Sequence, residues 1–252
     1  MDTTPSPIKN IGYLIFPGIE VLDVFGVLSP LNGVSLTVPN LTLSLISSTL
    51  DPVRSGPLTP PAPANGSYFA QTLLPTHTLA NPPSDLEVLI VPGGPGARAN
   101  ETELQPYFDF IAAQYPNLKY LISVCTGATF LARAGVLDGR KATTNKFAWK
   151  FATGTGPKVD WVPEARWVVD GNIWTTSGVV AGVDGIFAFI SEIWGEQKSI
   201  RLANILEYKR QTDPSIDPFA AIWNVTAPAT PSETTTTSVP TATQCRAARR
   251  RR

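Results

Sequence analysis

The sequence predicts an α/β fold in which helices cover both faces of a mostly parallel sheet. Short, continuous apolar runs recur along the chain, as expected of strands that are buried on both faces. They occupy residues 11–16, 41–48, 86–91 and 120–124. Stretches with a helical spacing of apolar residues follow several of these runs, and strands that alternate with helices are typical of parallel sheets.

The first half of the chain contains three of these strands. Pro17-Gly18 ends the first strand, and Pro30 closes the helical pattern that follows it. Residues 51–83 hold many prolines and predict an irregular excursion, with a short hairpin around residues 67–72. The third strand runs into the loop PGGPGARAN, where glycines let the backbone approach a ligand or another loop closely, and a helix is predicted over residues 104–115.

The fourth strand leads into Cys125, and the pattern of elements continues to residue 209. The later elements are a helix after Cys125, a short strand at 141–144, a helical turn at 147–151, a hairpin within 161–176, a mostly apolar helix at 179–194 and a helix at 197–209. Asp170-Gly171 supplies the positive φ angles of the hairpin turn. In such sheets the active site lies beyond the carboxyl ends of the strands, where Pro17-Gly18, Pro92-Gly93-Gly94 and Cys125 all fall.

The composition is that of a globular protein with a sizeable core. The 252 residues are 43% hydrophobic and 16% charged, enough for one large α/β domain. Residues 1–224 carry 15 basic and 19 acidic side chains, and a mildly acidic body does not suggest a nucleic-acid partner. The amino terminus lacks the pattern of a secretory signal and no apolar run reaches the length of a membrane span, so we expect a cytoplasmic protein with no membrane partner.

The composition changes after Trp223. Residues 225–252 are rich in Ser, Thr and Pro and end in a run of arginines. Such a segment has almost nothing to bury, so we predict a single domain over residues 1–224 and a disordered tail over residues 225–252. Cys125 and Cys245 make no disulfide framework because one of them lies in this tail.

Cys125 stands between a buried strand and the helix that follows it, in the stretch SVCTGATFL. This arrangement predicts a nucleophile elbow. The N–H groups and the dipole at the amino end of a helix favour a thiolate, so the sequence predicts a lowered pKa for the Cys125 thiol. The alternative is a small, buried apolar cysteine without a chemical role, but the small polar Thr126-Gly127 after it favours a functional one.

A catalytic cysteine usually needs a group that moves protons. The one histidine of the chain, His77, lies in the proline-rich excursion, where we expect a surface or structural role, and this argues against a Cys-His protease or amidotransferase. Asp23 lies in the apolar run VLDVFG, and desolvation there would raise the pKa of its carboxyl and suit it to proton transfer. Glu20 is expected to cap a helix or to face solvent, and Asp184 to make a structural hydrogen bond.

Taken together, these residues resemble the ThiJ/PfpI superfamily, and within it the isocyanide (isonitrile) hydratase-like branch. The resemblance covers about residues 11–208. The matching stretches are FPGIEVLDVFG, VLIVPGG, ISVCTGATFLARAGVLDGRKATT, and VVAGVDG followed by LEY. It implies a flavodoxin-like three-layer sandwich with a mostly parallel central sheet and a cysteine nucleophile elbow, generally as a homodimer.

The resemblance also implies the reaction. Cys125 would attack the terminal carbon of an isocyanide, and Asp23 would act as general acid and base until an N-substituted formamide is released. Thr126 follows the nucleophile as in the hydratases, and the backbone amides of Gly94 and Val179 would line the pocket. The substrate would be a small molecule, and neither a cofactor nor a metal ion would be needed.

The chain departs from the hydratase pattern at two places within the matching region. Asn145 stands where the hydratases have a histidine after Ala-Thr-Thr, and Gly26-Val27 stands where they have Gly-Pro. Two alternatives remain open. One is a glyoxalase or deglycase acting on methylglyoxal, for which the usual neighbouring histidine is missing. The other is a non-enzymatic sensor in which Cys125 is oxidised.

Overall fold

The computed structural model of the protein describes residues 8–56 and 69–225. Its strands are β1 (Asn10–Leu14), β2 (Thr42–Ser47), β3 (Val53–Arg54), β4 (Thr72–Leu73), β5 (His77–Thr78), β6 (Val88–Val91), β7 (Tyr120–Ser123), β8 (Lys141–Ala142), β9 (Asp160–Trp161), β10 (Trp167–Asp170) and β11 (Ile173–Thr176). Its helices are α1 (Val21–Ser35), α2 (Glu101–Gln114), α3 (Ala128–Arg133), α4 (Trp149–Gly154), α5 (Val179–Trp194), α6 (Glu196–Ile205) and α7 (Phe219–Ile222).

Within the described residues, seven strands form the central sheet in the order β10-β11-β7-β6-β1-β2-β5. All neighbours pair in parallel except β10 and β11, which form the predicted hairpin. The five strands β2-β1-β6-β7-β11 have the order 2-1-3-4-5 of a flavodoxin-like sheet, in which ligands bind where the strand order reverses. That point lies between β1 and β6, beside the end of β7.

Helices cover the sheet on both faces. The chain leaves β1 towards β2 but leaves β6 in the opposite direction towards β7, and right-handed crossovers therefore place α1 and α2 on opposite faces. Helices α5 and α6 pack beside α1, whereas α3 packs between α2 and α4. The mostly parallel, three-layer sandwich that the sequence predicts is confirmed.

Helix α1 is longer than predicted because Pro30 does not end it. The helix continues to Ser35 with Pro30 buried inside it. A proline in a helix costs about 3 kcal/mol through the lost hydrogen bond and a steric clash. Val27, Leu31 and Val34 are buried along the same helix, and each contributes about 1.5–3 kcal/mol. Burial on both sides of the proline therefore outweighs its cost.

The proline-rich excursion is partly ordered. β3 and β4 pair antiparallel across it, and β5 adds a parallel strand at the edge of the sheet, which the sequence did not predict. The predicted hairpin around residues 67–72 falls partly outside the described residues, as does almost all of the predicted tail at 225–252. Helix α7 was also not predicted. In the part of the chain that the structure describes, no helix is both long and apolar enough to cross a bilayer.

Candidate active site

The turn after β7 places Cys125 at the point of a nucleophile elbow. Cys125 has a φ of 56°, in the left-handed region that non-glycine residues seldom adopt. A 3₁₀ turn over Cys125–Gly127 follows and leads into α3. The strain is held by two hydrogen bonds: the Cys125 N–H donates to the Ser177 carbonyl at 3.1 Å, and the Thr144 hydroxyl donates to the Cys125 carbonyl at 2.9 Å.

The loop after β6 contacts both the elbow and the first helix. The Gly93 N–H donates to Asp23 Oδ2 at 2.8 Å. A Cβ on Gly93 would lie 2.5 Å from the backbone nitrogen of Thr126 and 3.0 Å from Asp23 Oδ2. Only glycine therefore lets the carboxyl end of β6, the carboxyl of Asp23 and the elbow meet at one point.

Thr126 locks the same loop onto the elbow. Its hydroxyl oxygen accepts a hydrogen bond from the Gly94 N–H at 2.9 Å. The Gly94 amide, which the family resemblance assigned to the pocket, is therefore bonded to Thr126 in this structure. Val179, the other residue assigned to the pocket, is the first residue of α5 and lines a cavity together with Asn145.

Asp23 is a fully buried carboxyl in the first turn of α1. Burial is the main cause that raises the pKa of Asp23, and the negative charge of Glu20 adds to it. Hydrogen bonds from the Gly93 N–H and the Cys125 thiol oppose the increase, and the resulting pKa is about 7. Among the described residues, no group meets hydrogen-bond geometry to Asp23 Oδ1. The carboxyl can therefore both give and take a proton near neutral pH, as the sequence predicts.

The predicted lowering of the Cys125 pKa is wrong in its direction. Burial raises the pKa of the thiol, and the negative charge of Asp23 raises it further. Hydrogen bonds to the sulfur from the Thr126 N–H and from the side chain of Asn145 act in the opposite direction but are weaker. Cys125 is therefore a thiol in the resting state, and above a pH of about 7 the pair of Asp23 and Cys125 holds a single proton, on the sulfur.

Asn145 is the residue of the site that the sequence identified only as a departure from the hydratase pattern. Its side chain bonds to Cys125, and its Oδ1 accepts a hydrogen bond from the Ala148 N–H at 3.0 Å. A Cβ on Gly178 would lie 2.9 Å from Asn145 Nδ2, so the amide group sits tightly against the start of α5. One feature of the sequence points to this position: Asn145 directly follows Thr144. The Thr144 hydroxyl donates to the carbonyl of Cys125 at the elbow.

The remaining acids and the histidine lie where the sequence predicts. Glu20 caps α1 by accepting a hydrogen bond from the Leu22 N–H at 3.2 Å. Asp184 makes structural hydrogen bonds, including one of 2.6 Å from Arg166 and one of 2.9 Å from the Tyr208 hydroxyl. His77 lies on β5, which three strands separate from the strand that ends at the elbow, and contacts Thr76. Within residues 8–56 and 69–225, no three His, Cys, Asp or Glu side chains converge as a metal site would require.

Known proteins are similar to this chain in sequence. A model of the DJ-1/PfpI family matches residues 60–195. The chain is 32% identical to the isonitrile hydratase of Pseudomonas putida over 200 residues, which cover 79% of this chain and 78% of that protein.

Solved structures of other proteins are similar to this chain in fold. A ThiJ/PfpI family protein from Pseudomonas syringae is 28% identical, with a TM-score of 0.63 over 86% of this chain and 81% of that one. A DJ-1 superfamily protein from Salmonella typhimurium has a TM-score of 0.62 over 80% of this chain and 100% of that one. The latter is 19% identical, so its likeness is one of fold alone.

The buried carboxyl gives a prediction for stability. The pKa of Asp23 is about 7 in the folded protein, against an ordinary value of 3.8 for an aspartate. Between these values the folded state binds more protons than the unfolded state, so the contribution of Asp23 to the free energy of unfolding falls as pH rises. The free energy of unfolding of Asp23→Asn does not fall in this way, because the amide does not ionise. The amide oxygen can still accept the hydrogen bond from the Gly93 N–H.

Relative to wild type, Asp23→Asn should therefore gain stability on the order of 2–4 kcal/mol between pH 4 and pH 8. Urea unfolding at several pH values measures the difference, and Asp109→Asn, which changes an exposed acid, is the control. A difference between Asp23→Asn and wild type that is constant with pH would contradict the raised pKa.

Proposed function

This chain belongs to the DJ-1/PfpI family, and we propose that it is a cofactor-free hydratase that converts an isocyanide to an N-substituted formamide. The observation that carries the proposal is the buried Asp23 carboxyl beside the Cys125 thiol, fixed by the Gly93 N–H at 2.8 Å. The 32% identity to an isonitrile hydratase supports the choice of substrate class. The enzyme is proposed to act as a homodimer on a small-molecule substrate.

The first half of the proposed reaction moves one proton from sulfur to carbon. Cys125 passes its thiol proton to the Asp23 carboxylate as the sulfur attacks the terminal carbon of R–N≡C. A new C–S bond forms, one C–N π pair becomes a lone pair on nitrogen, and the carbon keeps the lone pair that it already carried. Asp23 then returns the proton to that carbon, which gives the thioimidate R–N=CH–S–Cys125. A carboxyl with a pKa of about 7 suits both transfers.

The second half regenerates the thiol. Asp23, again ionised, accepts a proton from water as the water oxygen attacks the thioimidate carbon. Asp23 passes this proton to the nitrogen, and it then takes up the hydroxyl proton of the tetrahedral intermediate as the C–S bond breaks and R–NH–CHO leaves. The sulfur keeps the electron pair of the broken bond and recovers a proton from Asp23. The N–H of Thr126 and the side chain of Asn145, which bond to the sulfur, stabilise the thiolate whenever it forms.

The two alternatives have less support. A redox sensor needs a thiolate that oxidises readily, but burial and Asp23 hold the pKa of Cys125 above its ordinary value. Glyoxalase or deglycase chemistry of the kind considered above uses a histidine close to the cysteine. His77, the one histidine of the sequence, lies on β5 at the far edge of the sheet.

Turnover of a simple alkyl or aryl isocyanide tests the proposal directly, with the formamide followed by chromatography. Cys125→Ala should lose about a thousandfold or more in kcat/KM, because the nucleophile is gone. Asp23→Asn should lose about a hundred- to ten-thousandfold, since the amide cannot relay the proton. Cys245→Ser, which changes the other cysteine of the chain, should behave as wild type. Absence of formamide with the wild-type protein, or full activity of Cys125→Ala, would refute the proposal.

The pH dependence of kcat/KM supplies a second test. Asp23 must be ionised to accept the thiol proton, so kcat/KM should fall tenfold per pH unit below an apparent pKa of about 7, a value that belongs to the pair. The charge of Glu20 raises the pKa of Asp23. Glu20→Gln, which keeps an acceptor for the helix cap, should therefore move this acidic limb to lower pH. If the acidic limb of the kcat/KM profile stays at the same pH in Glu20→Gln, Asp23 does not control that limb.

A further inference from the structure

A cavity of about 230 Å³ lies next to the elbow. Most of its lining is apolar or aromatic, and it comes from the turn after β8, the start of α5 and the chain around α7. The larger apolar and aromatic side chains of the lining are Phe147, Val179, Val180, Phe219 and Trp223.

Two residues connect this cavity to the nucleophile. Asn145 and Ser177 both line the cavity. The Ser177 carbonyl accepts the N–H of Cys125 at 3.1 Å, and the side chain of Asn145 bonds to the Cys125 sulfur. Cys125 does not itself line the cavity, so the cavity lies one residue away from the nucleophile.

The outer wall of the cavity is the segment at 213–223, and a buried ion pair fixes it. Asp217 lies 3.4 Å from Lys146 Nζ, and each side chain is 1% exposed. Lys146 Nζ also donates to the Thr143 hydroxyl at 2.7 Å and to the Ala165 carbonyl at 2.9 Å, which anchors the pair to the turn behind the elbow. The segment is thus held at a fixed position, and it carries two of the aromatic lining residues.

The aromatic lining residues, here called the aromatic wall, are Phe147, Phe219 and Trp223. Phe147 and Trp223 meet edge to face with ring centroids 4.9 Å apart, and Phe219 lies on the same segment as Trp223. Trp223 is 48% exposed and Phe147 is 71% exposed, so both retain apolar surface that a ligand could cover. Burial of such surface is favourable in proportion to its area.

The charges at the cavity are already compensated. Lys146 is paired with Asp217, and Arg166 is paired with Asp184 at 2.6 Å. Neither Lys146 nor Arg166 is free to pair with an anionic group of a ligand, whereas an uncharged apolar group would contact aromatic and aliphatic carbon. An apolar cavity of about 150 Å³ is large enough to bind benzene, so a cavity of about 230 Å³ accepts one ring and its linker.

We infer that this cavity is the subsite for the substituent R of the substrate, and that Phe147, Phe219 and Trp223 determine specificity for an uncharged, ring-sized apolar group. The inference rests on the proposed function for the position of the reacting carbon. The segment at 213–223 then acts as a specificity wall, positioned by the Lys146–Asp217 pair, while the chemistry stays with Cys125 and Asp23.

Three isocyanides of different size and charge test this assignment: ethyl isocyanide, benzyl isocyanide and isocyanoacetate. Wild type should have a kcat/KM at least tenfold higher for benzyl than for ethyl isocyanide, and isocyanoacetate should be the poorest. Trp223→Ala should lose about tenfold or more with benzyl isocyanide, chiefly through KM, and stay within about twofold with ethyl isocyanide. Phe147→Ala, which removes a largely exposed ring, should act in the same direction and is a second variant should Trp223→Ala not fold.

The matched control is Ile222→Ala, which changes a 62% exposed apolar residue of the same segment that does not line the cavity. Its kcat/KM should match wild type for all three substrates. Equal losses with benzyl and ethyl isocyanide in Trp223→Ala, or no preference for the ring in wild type, would overturn the subsite. A change of oligomeric state in Trp223→Ala by light scattering would assign the aromatic wall to a subunit contact and would also overturn it.

Calorimetric binding of N-benzylformamide separates this inference from the proposed function. Binding to wild type that weakens at least tenfold in Trp223→Ala, without turnover of any isocyanide, would retain the subsite and refute the hydratase. Isocyanide turnover without ring preference, together with no N-benzylformamide binding, would retain the hydratase and refute the subsite.

Discussion

The site depends on two acids that are buried together and cannot both ionise. Asp23 and Cys125 are each removed from water, and the negative charge of Asp23 raises the pKa of Cys125. Above a pH of about 7 the pair therefore carries a single negative charge, on Asp23, and a single transferable proton, on Cys125. This differs from the low-pKa thiolate of many cysteine nucleophiles, because the base is a carboxylate and no histidine cation is present to stabilise the sulfur anion.

The fold supplies what this pair requires. The reversal of strand order between β1 and β6 brings the first turn of α1, the loop after β6 and the elbow after β7 to one point. Gly93 allows that approach because it has no Cβ, and it donates the one backbone hydrogen bond that holds Asp23 Oδ2. Thr126 then ties the loop to the elbow through the Gly94 N–H, so that the distance between acid and thiol is set by backbone rather than by mobile side chains.

The sequence predicted the elements that depend on local pattern. The apolar runs located the strands, and Cys125 between a strand and a small-residue turn located the elbow. Asp23 could be identified because an acid within VLDVFG would be desolvated wherever that helix packs. The sequence could not predict that α1 continues through Pro30, because tertiary burial of Val27, Leu31 and Val34 stabilises the helix there.

The errors at the site have the same origin. The sign of the Cys125 pKa shift depends on how completely the sulfur is buried, and a helix terminus in the sequence does not report that. The bond from Asn145 and the Lys146–Asp217 pair join residues whose proximity only the folded chain establishes. Helix α7 is four residues long and has little periodicity of its own, and its place over the cavity is fixed by Asp217.

Titration of the Cys125 thiol tests the central claim that the neighbouring Asp23 carboxylate keeps it protonated. The ultraviolet absorbance of the thiolate can be followed in Cys245→Ser protein, with the additional change Cys125→Ala as the blank. The thiolate should appear only above the ordinary cysteine pKa of about 8.5. In Asp23→Asn its appearance should move to lower pH, because the neighbouring negative charge is gone. A thiolate already formed at pH 7 in the presence of Asp23, or a titration that Asp23→Asn leaves unchanged, would contradict the account.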